Sequence, residues 1–191
     1  GMFFGLILAT IRTFGNKISN KIVICYVTFF TNTPQLVQIY FLFFALPEFG
    51  ILLSPYIAVL LGMTLNAAAY LCEIQRAGFL SIRQNELDAA KTLNFSLIQQ
   101  VKYVILPHIM KVLFPPLSNH YIIMTLGTSM AAIFGVEELT GRAFNINSET
   151  FRSVEIFSIT ALIYIVITFI ATFLLAVIGR YFFKAKIRII Q

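Results

Sequence analysis

Charge is what this sequence has little of. Only 12% of its 191 residues are Asp, Glu, Lys or Arg, whereas a soluble domain has roughly a quarter. Hydrophobic residues reach 59% and the mean hydropathy is +0.86, which predicts a polytopic membrane protein. No glycine is followed by lysine, so the chain has no phosphate-cradling loop of its own and is not expected to bind nucleotide. The two cysteines, Cys25 and Cys72, lie in or beside apolar runs at no metal-ligand spacing, and both are expected to be buried thiols. His108 and His120 have no partner at ligand spacing and read as interfacial or packed side chains. No nucleophile–base pair or metal cluster falls in the apolar runs, so neither a catalytic nor a metal site is expected. No basic region precedes the first apolar stretch, which argues against a signal peptide. The net charge of +6 suggests nucleic acid at first sight, but the basic residues sit between apolar runs, where membrane orientation accounts for them.

What is present is a series of apolar stretches. Gly1 to Ile11 is about half a span and is expected to be the cytoplasmic half of a first helix that begins earlier; Arg12, Lys17 and Lys21 follow as a basic loop. Ile22 to Leu46 is interrupted by Thr31-Asn32-Thr33-Pro34. Either Thr33 caps a new helix with Pro34 at its first position, or one helix continues with a kink. Residues 47–50 read as a turn, and Ser54-Pro55 starts a helix expected to reach Phe79. Leu117 to Gly135 is a fourth span, Val136 to Arg152 a polar loop, and Ile156 to Ile178 a last span of about 34 Å. Arg12, Lys17, Lys21, Arg76, Arg83, Lys91, Lys102, Lys111, Arg180, Lys184, Lys186 and Arg188 fall on one side of this arrangement, against Arg142 and Arg152 on the other. Twelve of fourteen places the loop after Phe79 and the C-terminus in the cytoplasm.

Within the third stretch Asn66, Tyr70 and Glu73 share one helix face. An amide at membrane depth avoids lipid, so Asn66 either bonds a neighbouring helix or lines a polar path. Glu73 and Arg76 are spaced for a local ion pair.

The stretch from Asn85 to Pro107 is different in kind. Asn85 is suited to cap a helix, with Asp88 in its first turn facing the positive end of the helix dipole. Asn94 follows Leu93 where a left-handed residue would end that helix. Ser96 and Gln99 form a capping-box pattern before a second apolar helix expected to stop at Pro107. The spacing predicts a short helix, a tight turn and another helix, all outside the lipid.

Asp88-Ala89-Ala90, Leu93-Asn94 and Ile105-Leu106-Pro107 together resemble the EAA loop of permease subunits in binding-protein-dependent ABC importers. Similarity to the polar amino-acid branch (histidine, glutamine and arginine type) extends over nearly the whole chain. It includes Thr33-Pro34 with Leu36-Val37-Gln38, Asn66 to Arg76, Leu113 to Asn119, Thr128-Ser129 and Glu138-Leu139-Thr140. The chain departs from the pattern at Thr31-Asn32, where the family usually has Arg-Gly, and at Leu126-Gly127, where it usually has Lys-Asp.

The resemblance implies an all-α type I importer fold, with about five spans of which the first is truncated, in a single permease domain over residues 1–191. The loop at about 81–107 would carry the coupling helix. Its docking residues would be Asn85, Glu86, Leu87, Asp88, Ala89, Ala90, Lys91, Leu93, Asn94 and Phe95. In particular, Ala89 and Ala90 would allow close approach, with Leu87, Leu93 and Phe95 as apolar anchors. Asn66, Tyr70, Glu73, Thr128 and Ser129 would lie along the substrate path. The implied partners are an ABC ATPase dimer that binds the ATP, a second permease subunit (identical or paralogous), a periplasmic amino-acid-binding protein and membrane lipid; neither a cofactor nor nucleic acid is implied. The chain would sit in the bacterial inner membrane as a transporter subunit, not an enzyme. A secondary ion-coupled transporter would need ionisable residues deep in its helices, where Glu73 is the single acidic candidate, near a helix end. A non-transporting scaffold is the other alternative.

Overall fold

The computed structural model describes residues 1–183, and these form helices joined by short turns. In order they are α1 (Met2–Phe14), α2 (Lys17–Thr31), α3 (Gln35–Tyr40), α4 (Pro55–Leu80), α5 (Gln84–Thr92), α6 (Leu97–Gln100), α7 (Leu106–Gly127), α8 (Leu139–Thr150) and α9 (Ser153–Phe182). Two of them, α4 and α9, are long and apolar enough to cross a membrane. The number rises to four if each of two bent pairs counts as one span. The charges of Lys184, Lys186 and Arg188 lie outside the described residues.

The expected basic loop is a two-residue turn. Arg12 closes α1, while Lys17 and Lys21 belong to α2, because the Asn16 side chain accepts hydrogen bonds from the N–H groups of Ile18 (3.1 Å) and Ser19 (2.8 Å) and starts the helix at once. The interruption in the second stretch is a true break of 102°. Of the two alternatives, a new helix is the one found, but Thr33 does not cap it: its hydroxyl donates back to the Phe29 carbonyl at 2.8 Å, and Pro34 in extended conformation precedes the helix. Beyond α3 the chain widens into a π turn at Phe41–Ala45, tightens into a 3-10 turn at Leu46–Phe49 and reverses at Gly50, whose φ of +79° suits glycine. Ser54 caps α4 as anticipated, its side chain accepting from the Ile57 N–H.

Two expected boundaries are corrected. Pro107 does not stop a helix: α6, a π turn at Val101–Ile105 and α7 run on continuously, so the stretch expected to begin at Leu117 is already helical from Leu97. The wide turn, closed by the Leu106 N–H on the Val101 carbonyl, sits immediately before the proline, where the regular ladder would lose a donor. The polar segment Val136–Arg152 is mostly helical too, as α8. Its start is fixed by Glu138, whose Oε1 accepts from the Gly141 N–H at 2.8 Å.

Packing is tightest between α1 and α4. Gly5 lies so close to α4 that a Cβ there would come within 2.8 Å of Leu71 Cβ and 3.1 Å of the Ala68 carbonyl. Around this approach Leu8, Ala9, Val23, Val27, Ala68 and Cys72 form one buried cluster, and Ile39, Val59, Ala131 and Phe134 form a second near the α2–α3 break. Of the two cysteines only Cys72 is buried; Cys25 lies exposed on the outer face of α2. By contrast α9 buries just Thr160 and Gly179. Phe14 meets Phe79 (5.9 Å between ring centroids) and Phe114 meets Phe183 (4.8 Å), so α1, α4 and α9 end, and α2 and α7 begin, at one end of the bundle. That end carries Arg12, Arg76 and α5.

Candidate coupling helix and polar cavity

The short helix α5 begins two residues earlier than expected. Its N-cap is Arg83, with no side-chain cap bond, and Asn85 falls inside the helix. Glu86 therefore occupies the first turn. Asp88 sits a turn further on, its Oδ1 accepting from Gln84 Nε2 (3.0 Å) and Lys91 Nζ (3.5 Å). The C-terminal end is as read from the sequence. Asn94 is left-handed (φ 56°), its N–H bonds the Lys91 carbonyl (2.8 Å), and the Phe95 N–H bonds the Ala90 carbonyl (3.1 Å), which makes a Schellman motif. Ser96 and Gln99 complete the capping box that starts α6.

This turn sorts the expected docking residues into two sets. Ala89, Asp88, Lys91, Asn85, Asn94 and Leu93 face solvent, Leu93 at 69% exposure. Ala90 is buried at 3%, Leu87, Glu86 and Phe95 are half-buried, and Phe95 packs on Tyr103. Sequence reasoning missed Leu97 and Ile98, each 79% exposed, which join Leu93 as apolar side chains on the loop. A pair of large apolar residues directly after a capping box was the available clue. His108, expected as an interfacial or packed side chain, touches both Glu86 (3.3 Å) and the Ser81 carbonyl (3.2 Å).

A cavity of about 500 Å³ opens at the α2–α3 break. It is lined by residues 31–35, by Asn66 and Tyr70 of α4, and by His120, Ile123 and Met124 of α7. The break frees carbonyls at the end of α2 and in the link that follows, and side chains take them up. Gln38 Nε2 donates to Phe30 (3.0 Å) and Thr33 (3.0 Å), Asn66 Nδ2 to Phe30 (3.2 Å) and to Gln38 Oε1 (3.1 Å), and the Tyr70 hydroxyl to Thr31 (3.4 Å). Asn66 is thus both structural glue and part of the wall. Of the residues expected along a substrate path, the structure brings Asn66 and Tyr70 together here and leaves three elsewhere. Glu73 pairs with Arg76 (3.5 Å) and with Arg12, a partner that sequence spacing did not reveal. Thr128 and Ser129, in the 3-10 turn that follows α7, donate back to the Thr125 and Leu126 carbonyls at its end. The lining contains no Asp, Glu, Lys or Arg among the described residues.

Residues 1–184 match the family described as "Binding-protein-dependent transport system inner membrane component". The chain belongs to this family. It is the inner-membrane permease component of a binding-protein-dependent ABC transporter, and it works with a separate ATPase and a binding protein. This permease is 36% identical over 182 residues to the glutamine transport system permease protein GlnP of Escherichia coli (strain K12), covering 94% of this chain and 83% of that one. It is 34% identical over 166 residues to the probable amino-acid ABC transporter permease protein PatM of Vibrio harveyi, covering 85% and 74%. Its backbone is similar to a crystal structure of an amino acid ABC transporter with histidines, with a TM-score of 0.85 at 30% identity, over 94% of this permease and 84% of that chain. The inward-facing MetNI methionine ABC transporter shares the fold, with a TM-score of 0.68 at 18% identity, covering 93% and 83%.

Proposed function

We propose that this permease carries amino acids, polar ones in particular, from a periplasmic binding protein into the cytoplasm, driven by ATP hydrolysis on a dimer of ATPase subunits. The observation that carries the reading is α5 with its neighbouring turn: a short capped helix on the cation-rich end of the bundle, offering Ala89, Leu93, Leu97 and Ile98 to a partner. In this reading the ATPase groove receives that face, and closure of the ATPase dimer moves α5 as a lever between inward- and outward-facing packings of the spans. Asn85, Glu86, Leu87, Asp88, Ala90, Lys91, Asn94 and Phe95 shape and fasten the lever. The loop and the C-terminus lie in the cytoplasm, and ATP is held by the partner, with no cofactor in this chain. Five crossings make up one domain over residues 1–191: α1 in part, then α2–α3, α4, α7 and α9, with α8 in the periplasmic loop. A second permease subunit, identical or paralogous, completes the pathway against the exposed faces.

The cavity at the α2–α3 break supports the substrate class. Its wall offers amides, a phenol and an imidazole and no formal charge, which suits a zwitterion with an uncharged polar side chain. Thr128, Ser129 and Glu73 then act in helix contacts beside the path. Reconstitution with the ATPase, followed by ligand-stimulated ATP hydrolysis across a panel of amino acids, tests the substrate. Ala89→Glu tests the lever: a carboxylate on the docking face is expected to abolish transport and ATPase co-purification while the subunit still inserts. Normal uptake by that variant refutes the docking role.

A further inference from the structure

The ring of His108 sits where three elements meet. Its Nδ1 lies 3.3 Å from Glu86 Oε2 on α5, its Nε2 lies 3.2 Å from the Ser81 carbonyl at the end of α4, and its backbone belongs to the first turn of α7. Both oxygens are acceptors. A neutral imidazole has one N–H, so one ring nitrogen would face an oxygen lone pair to lone pair, whereas the imidazolium donates at both. Glu86 is the titratable group that α5 turns toward the ring, and α4 presents a carbonyl alone. Arg83 and Lys111, the nearest cations along the chain, face solvent, and Lys102 lies over the ring of Tyr103.

The placement matters because α5 is fastened unevenly. Its C-terminal end is locked to α6 by the Schellman bonds, but its start follows a non-helical link, and Arg83 supplies no side-chain cap. Without another contact the first turn would pivot about residues 82–83, and a push on α5 would be absorbed there. We propose that His108 is the positioning residue that ties the first turn of α5 to the α4–α7 hinge, so that displacement of α5 reaches both spans. This rests on α5 being the helix that receives the ATPase.

The test uses the permease assembled with its ATPase and binding protein in liposomes. The readout is ATP hydrolysis with and without the amino acid that gives the parent complex its largest stimulation. His108→Leu and Glu86→Gln are each expected to lower the stimulated-to-basal ratio roughly fivefold or more, with basal hydrolysis and ATPase co-purification retained in His108→Leu. The double variant is expected to be no worse than His108→Leu, since both remove one contact. His108→Lys, whose ammonium donates to both oxygens, is expected to recover most of the ratio, a rescue that simple packing would not give. Ratios within about twofold of the parent in both single variants overturn the proposal, as do additive losses in the double variant or no gain from lysine. If His108→Leu does not assemble, the near-isosteric Glu86→Gln decides on the same ratio. Failure of the docking reading looks different: Ala89→Glu keeps its ATPase, while a falling ratio in Glu86→Gln still supports the tie.

Discussion

Asn66 shows how one side chain at membrane depth holds two roles. Its amide donates to a carbonyl that the broken α2 cannot satisfy and to Gln38, and it forms part of the cavity wall. Asn66→Leu fills similar volume but leaves the Phe30 carbonyl with a single donor and Gln38 Oε1 with none. The expected loss is about 1–3 kcal/mol, because buried polar groups would lose partners that lipid cannot replace. A thermal melt of the detergent-purified subunit measures it, and an unchanged midpoint would show that the amide carries no structural weight. At this scale the sequence was only half legible. The period of Asn66, Tyr70 and Glu73 was right, yet their common face splits, since Arg12, distant in sequence, draws Glu73 into an ion pair away from the cavity.

Among the elements, the end of α5 and the start of α6 were the most legible because their punctuation is local. Asn94, Ser96 and Gln99 each act within a few residues, and each does what its spacing indicated. The left-handed Asn94 makes a clear prediction. Asn94→Gly keeps the turn, whereas Asn94→Val forces a β-branched residue to a φ of 56° and is expected to cost about 1–2 kcal/mol. That cost should appear as increased protease sensitivity of the 92–97 segment in the valine variant alone; equal digestion of the two would contradict it. The prolines were misread for the opposite reason. A proline removes one hydrogen bond, but whether the helix ends depends on whether neighbouring backbone can rearrange, as Val101–Ile105 does before Pro107. Nor did the polar composition of residues 136–152 reveal α8. Its anchoring depends on Glu138 bonding both the Gly141 N–H and, at 2.9 Å, the hydroxyl of Tyr164 on α9.

For the molecule as a whole, apolar run lengths were enough to indicate an all-helical membrane bundle, because lipid imposes that constraint on any spanning chain. The expected orientation follows from nine of the twelve cations that lie within the described residues: Arg12, Lys17, Lys21, Arg76, Arg83, Lys91, Lys102, Lys111 and Arg180. In a background with Cys25→Ser and Cys72→Ala, a cysteine at Asp88 is expected to react with a membrane-impermeant maleimide only from the cytoplasmic side, and one at Asn147 only from the periplasmic side. The reverse pattern would invert the bundle and remove α5 from the reach of any ATPase. What run lengths could not show was the 102° break and the cavity it opens, since a span interrupted at Thr31–Pro34 and one merely kinked there have the same composition.

The wide turn at Val101–Ile105 holds one more residue than a regular α turn needs, a spare link in the rod that joins the docking loop to the membrane. A chain shortened by one residue within that turn can close up as ordinary helix and leave Leu97 and Ile98 aimed where they are. The same deletion further along α7 has no such slack, and it swings both side chains by about 100° around the axis. The bearing of the loop is therefore set by residue count as much as by residue type.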